Sequence, residues 1–230
     1  MLHALADNIW YRDGPEITFA GAGMGTRMTV VRLQDGNLWV HSPVQLSDEI
    51  TDELSALGGE VVALIAPNKY HHLYVHEWVA RFPEAKVFAE RTLQEKVPAL
   101  GAAETLTDTA PEIYADDLEQ LVLTGSRLFH EVVFFHKPSR TLILTDLMIN
   151  QPVDDVPLLP RLFLRFESVA YPHGGILRLY RWLTTDRKAG RAQFARIEAW
   201  QPERLTFCHG PAFDDPAHVV LAREFAYLRR

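Results

Sequence analysis

The stretch VVALIAPNKYHHLYVHEW, residues 61–78, joins an unbroken apolar run to a cluster of histidines. The apolar run predicts a buried strand, which the following proline ends. His71, His72 and His76 come next, in a segment whose aromatic residues recur at helical spacing up to residue 82. Two interpretations stay open at this point: a metal site at the end of a strand, or a helix that happens to begin with imidazoles.

The residues before this stretch predict the start of an α/β fold. Two runs of β-branched and aromatic residues, 26–33 and 37–42, flank an Asp-Gly pair, which is a strong hairpin signal. Residues 47–57 then predict a helix, because a serine can cap its acidic first turn and apolar residues follow at helical spacing. The order of two strands, a helix and the strand at 61–66 begins an alternating α/β pattern.

A second hairpin gathers polar side chains that are distant in the sequence. The runs EVVFFH (131–136) and TLILTD (141–146) flank the four-residue loop KPSR. Pairing across that loop places Glu131 opposite Asp146. We therefore expect His130, Glu131 and Asp146 to meet at one end of the hairpin. Two facing carboxylates repel each other, so a cation or a histidine is expected between them.

A third group of polar side chains follows the strand predicted within RLTFCHG, residues 204–210. Cys208 and His209 come directly after RLTF, the first part of this stretch. Functional sites of α/β sheets collect where strands end and loops begin. Neutral imidazole and carboxylate are the usual protein ligands of zinc, iron and manganese. The three strand ends together therefore predict a metal site.

The order of these elements and three local patterns resemble the metallo-β-lactamase-like hydrolase superfamily, over roughly residues 7–215. The stretch LILTDLM resembles the aspartate stretch of the superfamily and places Asp146, while FCHGP resembles its last histidine stretch and places His209. The segment HEVVFFHKPSRTLILTDL resembles its histidine-plus-hairpin segment. The resemblance implies an α/β fold arranged as a four-layer αββα sandwich. Because neither a repeat nor a linker divides the chain, we expect one domain over residues 1–230.

The main metal-binding motif of the superfamily, His-x-His-x-Asp-His, is altered in this chain. Superposed on PNKYHH, it puts Pro67 and Lys69 in the places of its first two histidines. His71 then takes the place of its aspartate, and His72 the place of its last histidine. Proline has no side-chain ligand atom and lysine is a poor ligand. We therefore expect a site that has been lost or rebuilt, in a divergent branch of the superfamily.

The histidine that precedes the hairpin in the superfamily has two candidate matches here. Strict alignment places Arg127 at that position, and a shift of a few residues places His130 there instead. Asp146 is the candidate catalytic residue, which would hold a metal or orient the nucleophile. The candidate metal ligands are His71, His72, His130, Asp146 and His209. Further cleft candidates are Lys69, Glu131 and His76.

Three functional hypotheses follow from the resemblance and the altered motif. The first is a hydrolase with one metal ion, zinc or else iron or manganese, that activates water against an ester, thioester, lactone or phosphoester. The second is a catalytically inactive, metal-free member whose cleft binds a small molecule or a partner, with Lys69 replacing the charge of the metal. The third is iron-based redox chemistry, which the superfamily also supports.

Composition narrows the partners and the location that we expect. The chain has 230 residues, a net charge of −7 and a pI near 5.8, so it is poorly suited to hold a nucleic-acid backbone. No apolar run approaches the roughly 20 residues of a membrane helix, and the N-terminus lacks a signal-peptide pattern. The single cysteine, Cys208, rules out an intrachain disulfide. We expect a cytoplasmic protein with a small-molecule substrate or ligand, and neither nucleic acid nor membrane as a partner.

Overall fold

The computed structural model of the protein describes residues 1–19, 21–97, 100, 103–126 and 129–229. Arg127, one of the two candidate matches for the upstream histidine, lies outside the described residues. Within them, two sheets lie face to face, and helices cover their outer sides. None of the helices in these ranges is both long enough and apolar enough to cross a bilayer.

The larger sheet has seven strands in the described part of the chain, and they follow one another in sequence order. The first three pairs are antiparallel and the last three are parallel. Its strands are β1 (His3–Ala6), β2 (Ile9–Phe19), β3 (Ala22–Arg32), β4 (Leu38–His41), β5 (Val61–Ala66), β6 (Lys86–Ala89) and β7 (Glu104–Thr105).

The smaller sheet has the spatial order β11-β10-β9-β8. Its central pair is the predicted hairpin, with His136 opposite Thr141, and β11 joins β10 in parallel. Its strands are β8 (Leu118–Leu123), β9 (Glu131–His136), β10 (Thr141–Ile143) and β11 (Arg204–Thr206). The α-helices are α1 (Asp48–Leu57), α2 (Val75–Arg81), α3 (Arg91–Lys96), α4 (Leu158–Phe166), α5 (Arg178–Leu183), α6 (Arg187–Ala199) and α7 (Ala217–Glu224).

Apolar residues on both faces of the smaller sheet explain the layering. Along β9, Val132 and Phe134 pack toward the larger sheet, while Val133 packs against helices on the other side. Helices α1 and α2 bury side chains such as Trp78 on the outer face of the larger sheet, and α6 and α7 bury side chains such as Phe194 on the smaller sheet. The predicted four-layer αββα sandwich is confirmed.

Two of the element boundaries that differ from the sequence prediction lie at the candidate site. Helix α2 begins at Val75 and residues 71–74 form turns, so His71 and His72 precede the helix, while His76 lies in it. Strand β10 ends at Ile143, so the ladder stops before Asp146. The N-terminal hairpin of β1 and β2 was not predicted from the sequence.

His41, the last residue of β4, is a titratable group enclosed between the two sheets. Its ring stacks on Trp39 at a centroid distance of 5.7 Å and meets the edge of Phe134 at 5.6 Å. Its Nε2 lies 3.4 Å from the Thr145 hydroxyl. Burial, together with the nearby charge of His71, lowers the pKa of His41 to about 3. Folding therefore requires a neutral imidazole at this position.

We predict that acidification destabilises the protein in part through His41. Between the ordinary pKa of 6.5 and the folded value of about 3, the unfolded chain binds one proton more than the folded chain. The free energy of unfolding should therefore fall as pH falls through this window, by up to about 1.4 kcal/mol per pH unit from this residue. His41→Phe keeps a ring in the stack and should flatten this dependence in urea unfolding.

The matched control for this measurement is His173→Phe, which replaces an exposed histidine. It should keep the pH dependence of the unmodified protein. If His41→Phe retained that dependence as well, the assignment of acid sensitivity to His41 would be wrong.

Candidate metal centre

Three loops, each following a strand, bring His71, Asp146 and His209 together. His71 follows β5 of the larger sheet, while Asp146 and His209 follow β10 and β11 of the smaller sheet. Asp146 Oδ1 accepts hydrogen bonds from His71 Nε2 at 3.0 Å and from His209 Nε2 at 2.9 Å. The ligand atoms of the three residues all lie within 4.8 Å of one another, and no other such group of His, Cys, Asp or Glu occurs among the described residues.

Glu131 holds the backbone that presents Asp146. Its Oε1 accepts the N–H of Thr145 at 2.7 Å, and its Oε2 accepts the N–H groups of Asp146 and Leu147 at 2.7 and 2.8 Å. Backbone N–H groups satisfy Glu131, and Asp146 turns its own carboxylate toward the two histidines.

Asn68 connects the histidine loop to the aspartate. Its side-chain Oδ1 accepts the N–H groups of Tyr70 and His71 at 2.9 and 3.1 Å, which is a local turn of the kind that asparagine favours. Its Nδ2 donates to Asp146 Oδ2 at 2.8 Å. Asn68 is almost fully buried, so one amide both shapes the loop before α2 and orients the carboxylate.

The outer nitrogens of both histidines also have partners. His209 Nδ1 donates to the Gly25 carbonyl at 2.7 Å, which directs Nε2 into the site. His71 Nδ1 lies 2.5 Å from the Ser42 hydroxyl. Ser42 holds φ near +53°, a conformation that non-glycine residues rarely adopt and that occurs disproportionately at functional sites. A hydrogen bond to the ring nitrogen that does not bind the metal is how proteins fix the orientation of metal-binding histidines.

Negative charge in the site is concentrated on Asp146. Burial alone would raise its pKa, but the charge of His71 and the hydrogen bonds from both histidines hold the pKa well below its ordinary value. Burial would lower the pKa of His209, but the contact with Asp146 and the Gly25 carbonyl raise it. Burial and the charge of Asp146 raise the pKa of Glu131 to about 8, against the effect of its three N–H donors.

The three side chains fit a metal ion in type, and two of the three separations between their ligand atoms fit one in spacing. Zinc takes imidazole nitrogen and carboxylate oxygen at about 2.0–2.2 Å, which puts ligands of a tetrahedral site about 3.3 Å apart. The two Nε2–Oδ1 distances, 3.0 and 2.9 Å, are close to that separation. Three protein ligands with one open position are the usual composition of a catalytic site, whereas structural sites usually have four.

The other sequence-predicted residues lie around this trio. His72 and His130 line the same pocket, but their ligand atoms do not belong to the close group of three. His130 Nδ1 lies 3.6 Å from Glu90, which caps α3. Burial, with the nearby charge of Lys96, lowers the pKa of His72. His76 lies on the exposed side of α2, and Lys69 lines the pocket.

The pocket beside the trio has a volume of about 290 Å³ and is mostly apolar. Its apolar wall includes Met24, Phe129, Ile149 and Leu177. A second groove, of about 630 Å³, passes Cys208 and is lined by none of the three candidate ligands. Burial raises the pKa of the Cys208 thiol, which therefore stays protonated and unreactive.

Solved metallo-β-lactamases share this architecture. The chain superposes on DIM-1 metallo-β-lactamase with a TM-score of 0.68 at 14% identity, over 100% of this chain and 96% of that chain. It superposes on the metallo-β-lactamase from Pontibacter korlensis with a TM-score of 0.66 at 15% identity, over 100% of this chain and 99% of that chain. The TM-score with the metallo-β-lactamase from Hirschia baltica is 0.61 at 12% identity, over 99% of this chain and 97% of that chain. The protein thus has the metallo-β-lactamase fold, as the resemblance in its sequence predicts.

Sequence comparison gives the narrower family. The model of a family described as a domain of unknown function, DUF4336, matches residues 6–170. This match covers more than half of the chain, so the chain belongs to that family. No curated protein matches the chain in sequence.

We predict that Asn68→Asp destabilises the folded protein by about 2 kcal/mol or more. The substitution keeps the oxygen that shapes the loop, but it removes the donor to Asp146 and places a second carboxylate against it. Urea unfolding at neutral pH measures the difference.

Asn37→Asp is the matched control for Asn68→Asp, because Asn37 Nδ2 also donates to an aspartate, Asp35, at 2.8 Å, but at an exposed turn. We expect a cost below about 1 kcal/mol there, since solvent screens the two charges. Equal costs at the two positions would contradict the role given to Asn68.

Proposed function

We propose that the protein is a metal-dependent hydrolase that uses a rebuilt, mononuclear site to cleave an ester, thioester, lactone or phosphoester. The observation that carries this proposal is the convergence of His71, Asp146 and His209 in the lining of an apolar pocket. Zinc is the metal proposed first, since imidazole and carboxylate ligands suit it, with iron and manganese as alternatives. A cytoplasmic location belongs to the same proposal.

The residues of the chain have separate roles in this proposal. His71, His209 and Asp146 would hold the metal, and Asp146 would also orient the water that attacks the substrate. Ser42 and the Gly25 carbonyl orient the two histidines, and Asn68 orients Asp146. A bound divalent metal supplies Lewis acidity and makes water a nucleophile near neutral pH. His72 and His130, which line the same pocket, are proposed as the source of any further ligand.

The residues that replace the superfamily pattern support the proposal of a mononuclear site. Pro67 and Lys69 stand where its first two histidines would be, and neither side chain is an effective metal ligand. The Pro67 carbonyl accepts the N–H of Val132, so this backbone serves the junction between the two sheets. Only one group of three close ligand residues is present among the described residues.

The pocket favours a small substrate with an apolar body and an anionic group. Its wall is mostly apolar, which suits an acyl or other hydrocarbon part. Lys69 and Lys96 also line it, and each Nζ lies 5.5 Å from the ring centre of Tyr70, which is itself exposed. The two ammonium groups would attract a carboxylate or phosphate of the substrate.

A metal-free binding protein is the second candidate, and one observation favours it. Asp146 accepts hydrogen bonds from His71, His209 and Asn68, so its carboxylate is satisfied by the protein alone. The cleft would then bind a small molecule or a partner without hydrolysing it, and Lys69 would supply part of the positive charge of the metal.

We predict that the purified protein contains about one zinc, iron or manganese ion per chain and that chelation removes it. His209→Ala and Asp146→Ala should each lose the metal, because each removes one of three ligands. Elemental mass spectrometry before and after chelation measures the content. His76→Ala is the matched control, since it removes an exposed imidazole from the same segment and should retain the metal.

Hydrolysis of small ester, thioester, lactone and phosphoester substrates should follow the metal content across these variants. Metal-dependent turnover would exclude the metal-free candidate. If no metal bound even after reconstitution, the hydrolase proposal would be wrong and the binding protein would stand. Iron with a visible absorption band, together with a lack of hydrolysis, would indicate redox chemistry instead.

A further inference from the structure

Helix α4 is amphipathic, but its apolar side faces outward. Leu158, Leu159, Leu162 and Phe166 lie on one side of the helix and are 65%, 77%, 51% and 51% exposed, whereas Leu164 on the other side is buried. An ordinary surface helix has the reverse arrangement, with its apolar stripe toward the core. The outward stripe therefore calls for an external partner.

Helix α5 extends this surface. Leu179 and Trp182 are 38% and 66% exposed, and the Trp182 ring meets the edge of Phe166 at a centroid distance of 6.1 Å. Soluble monomers rarely expose contiguous apolar patches of this kind without a use for them. We call the combined surface the α4–α5 apolar face; it consists of Leu158, Leu159, Leu162, Phe166, Leu179 and Trp182.

Helices α4 and α5 carry four arginines and no acidic residue, although the whole chain has a net charge of −7. Acidic residues lie only in the flanking turns: Asp154 and Asp155 precede α4, Glu167 follows it, and Asp186 follows α5. Glu167 is buried and accepts the N–H of Leu179, so it contributes little to the surface. Arg165 and Arg178 are exposed, and the Arg178 guanidinium lies 5.4 Å from the ring centre of Phe166.

The arginines of the two helices favour an anionic bilayer over a second copy of the chain as the partner of this face. In a symmetric dimer the same patch occurs on both subunits, so the arginines of α4 and α5 would be brought near those of the second copy, with no acidic side chain of either helix to pair with them. An anionic bilayer instead offers negative headgroups to the arginines and hydrocarbon to the leucines and aromatic rings. Interfacial helices that lie on membranes combine leucine, phenylalanine and tryptophan with basic residues in this way, and they do not need to span the bilayer.

We propose that the α4–α5 apolar face docks the protein onto the surface of a bilayer that contains anionic lipids. The side chains of the face would enter the boundary between headgroups and acyl chains, with Arg165 and Arg178 at the headgroup level. This proposal is independent of any activity at the candidate metal centre.

Docking at this face would also place the candidate site near the membrane. Phe163 of α4 and Leu177, just before α5, line a small apolar cleft of about 30 Å³ together with Met24 and Ile149. Met24, Ile149 and Leu177 also line the pocket beside the metal trio. The cleft beside α4 and the pocket at the candidate site therefore share apolar walls.

Co-sedimentation with lipid vesicles tests the proposal. The full chain should bind vesicles of phosphatidylcholine mixed with phosphatidylglycerol, and bind vesicles of phosphatidylcholine alone much more weakly. The double variant Leu159→Ser/Trp182→Ser should bind about tenfold more weakly or worse, because it removes the two most exposed side chains of the face. Arg165→Gln should weaken binding by about fivefold, the effect of one basic residue near an anionic surface.

The matched control is Val79→Ser/Val219→Ser, which removes two exposed apolar side chains elsewhere and should leave vesicle binding unchanged. Quenching by brominated lipids gives a second readout that does not depend on a destabilising substitution. Tryptophan fluorescence of the unmodified protein should be quenched on binding, and Trp182→Phe should lose most of that quenching while it still binds.

Several results would overturn the proposal. They are no binding to anionic vesicles by the unmodified protein, equal binding to neutral and anionic vesicles, and undiminished binding by a folded Leu159→Ser/Trp182→Ser variant. Self-association that depends on concentration and is lost in that variant, without vesicle binding, would assign the face to a second copy of the chain.

Discussion

The carboxylate of Asp146 is the group on which the site and the junction of the two sheets depend. It receives hydrogen bonds from a loop of the larger sheet, through His71 and Asn68, and from a loop of the smaller sheet, through His209. A largely enclosed carboxylate without such donors would be strongly unfavourable. His209 in turn donates to the carbonyl of Gly25 in β3, so the contacts form a closed connection across the sandwich.

The same hydrogen bonds define what a metal would have to displace. His71 and His209 each present an Nε2 atom to Asp146 Oδ1, and those three atoms are also the candidate ligands. A metal would take the place of the protons that the imidazoles now share with the carboxylate, so its affinity would rise as pH rises. The hydrolase and the metal-free binding protein therefore use the same three side chains. They differ in whether protons or a metal ion lie between the two imidazoles and the carboxylate.

Much of the fold could be predicted, because the relevant signals are local and periodic. The hairpin at 131–146 and the strand at 61–66 follow from their apolar runs and turns, and the resemblance then supplied the layers. The roles of Asn68 and Glu131 could not be predicted in this way. An asparagine after a proline indicates a turn, but its second partner, Asp146, lies 78 positions away. Glu131 binds backbone N–H groups that become available because β10 ends early.

The outward face of α4 shows a different limit of sequence reasoning. Periodicity identifies an amphipathic helix, but it does not say whether the apolar side meets the core or the solvent. That choice depends on where the rest of the chain has already filled the core, and here Leu164 is the α4 side chain that reaches it. The residues that join α4 to the pocket, such as Leu177, come from another part of the segment between the last two strands. This segment thus supplies both a wall of the candidate site and most of the large apolar side chains that the described residues expose, so one part of the chain shapes the pocket and the surface proposed to dock.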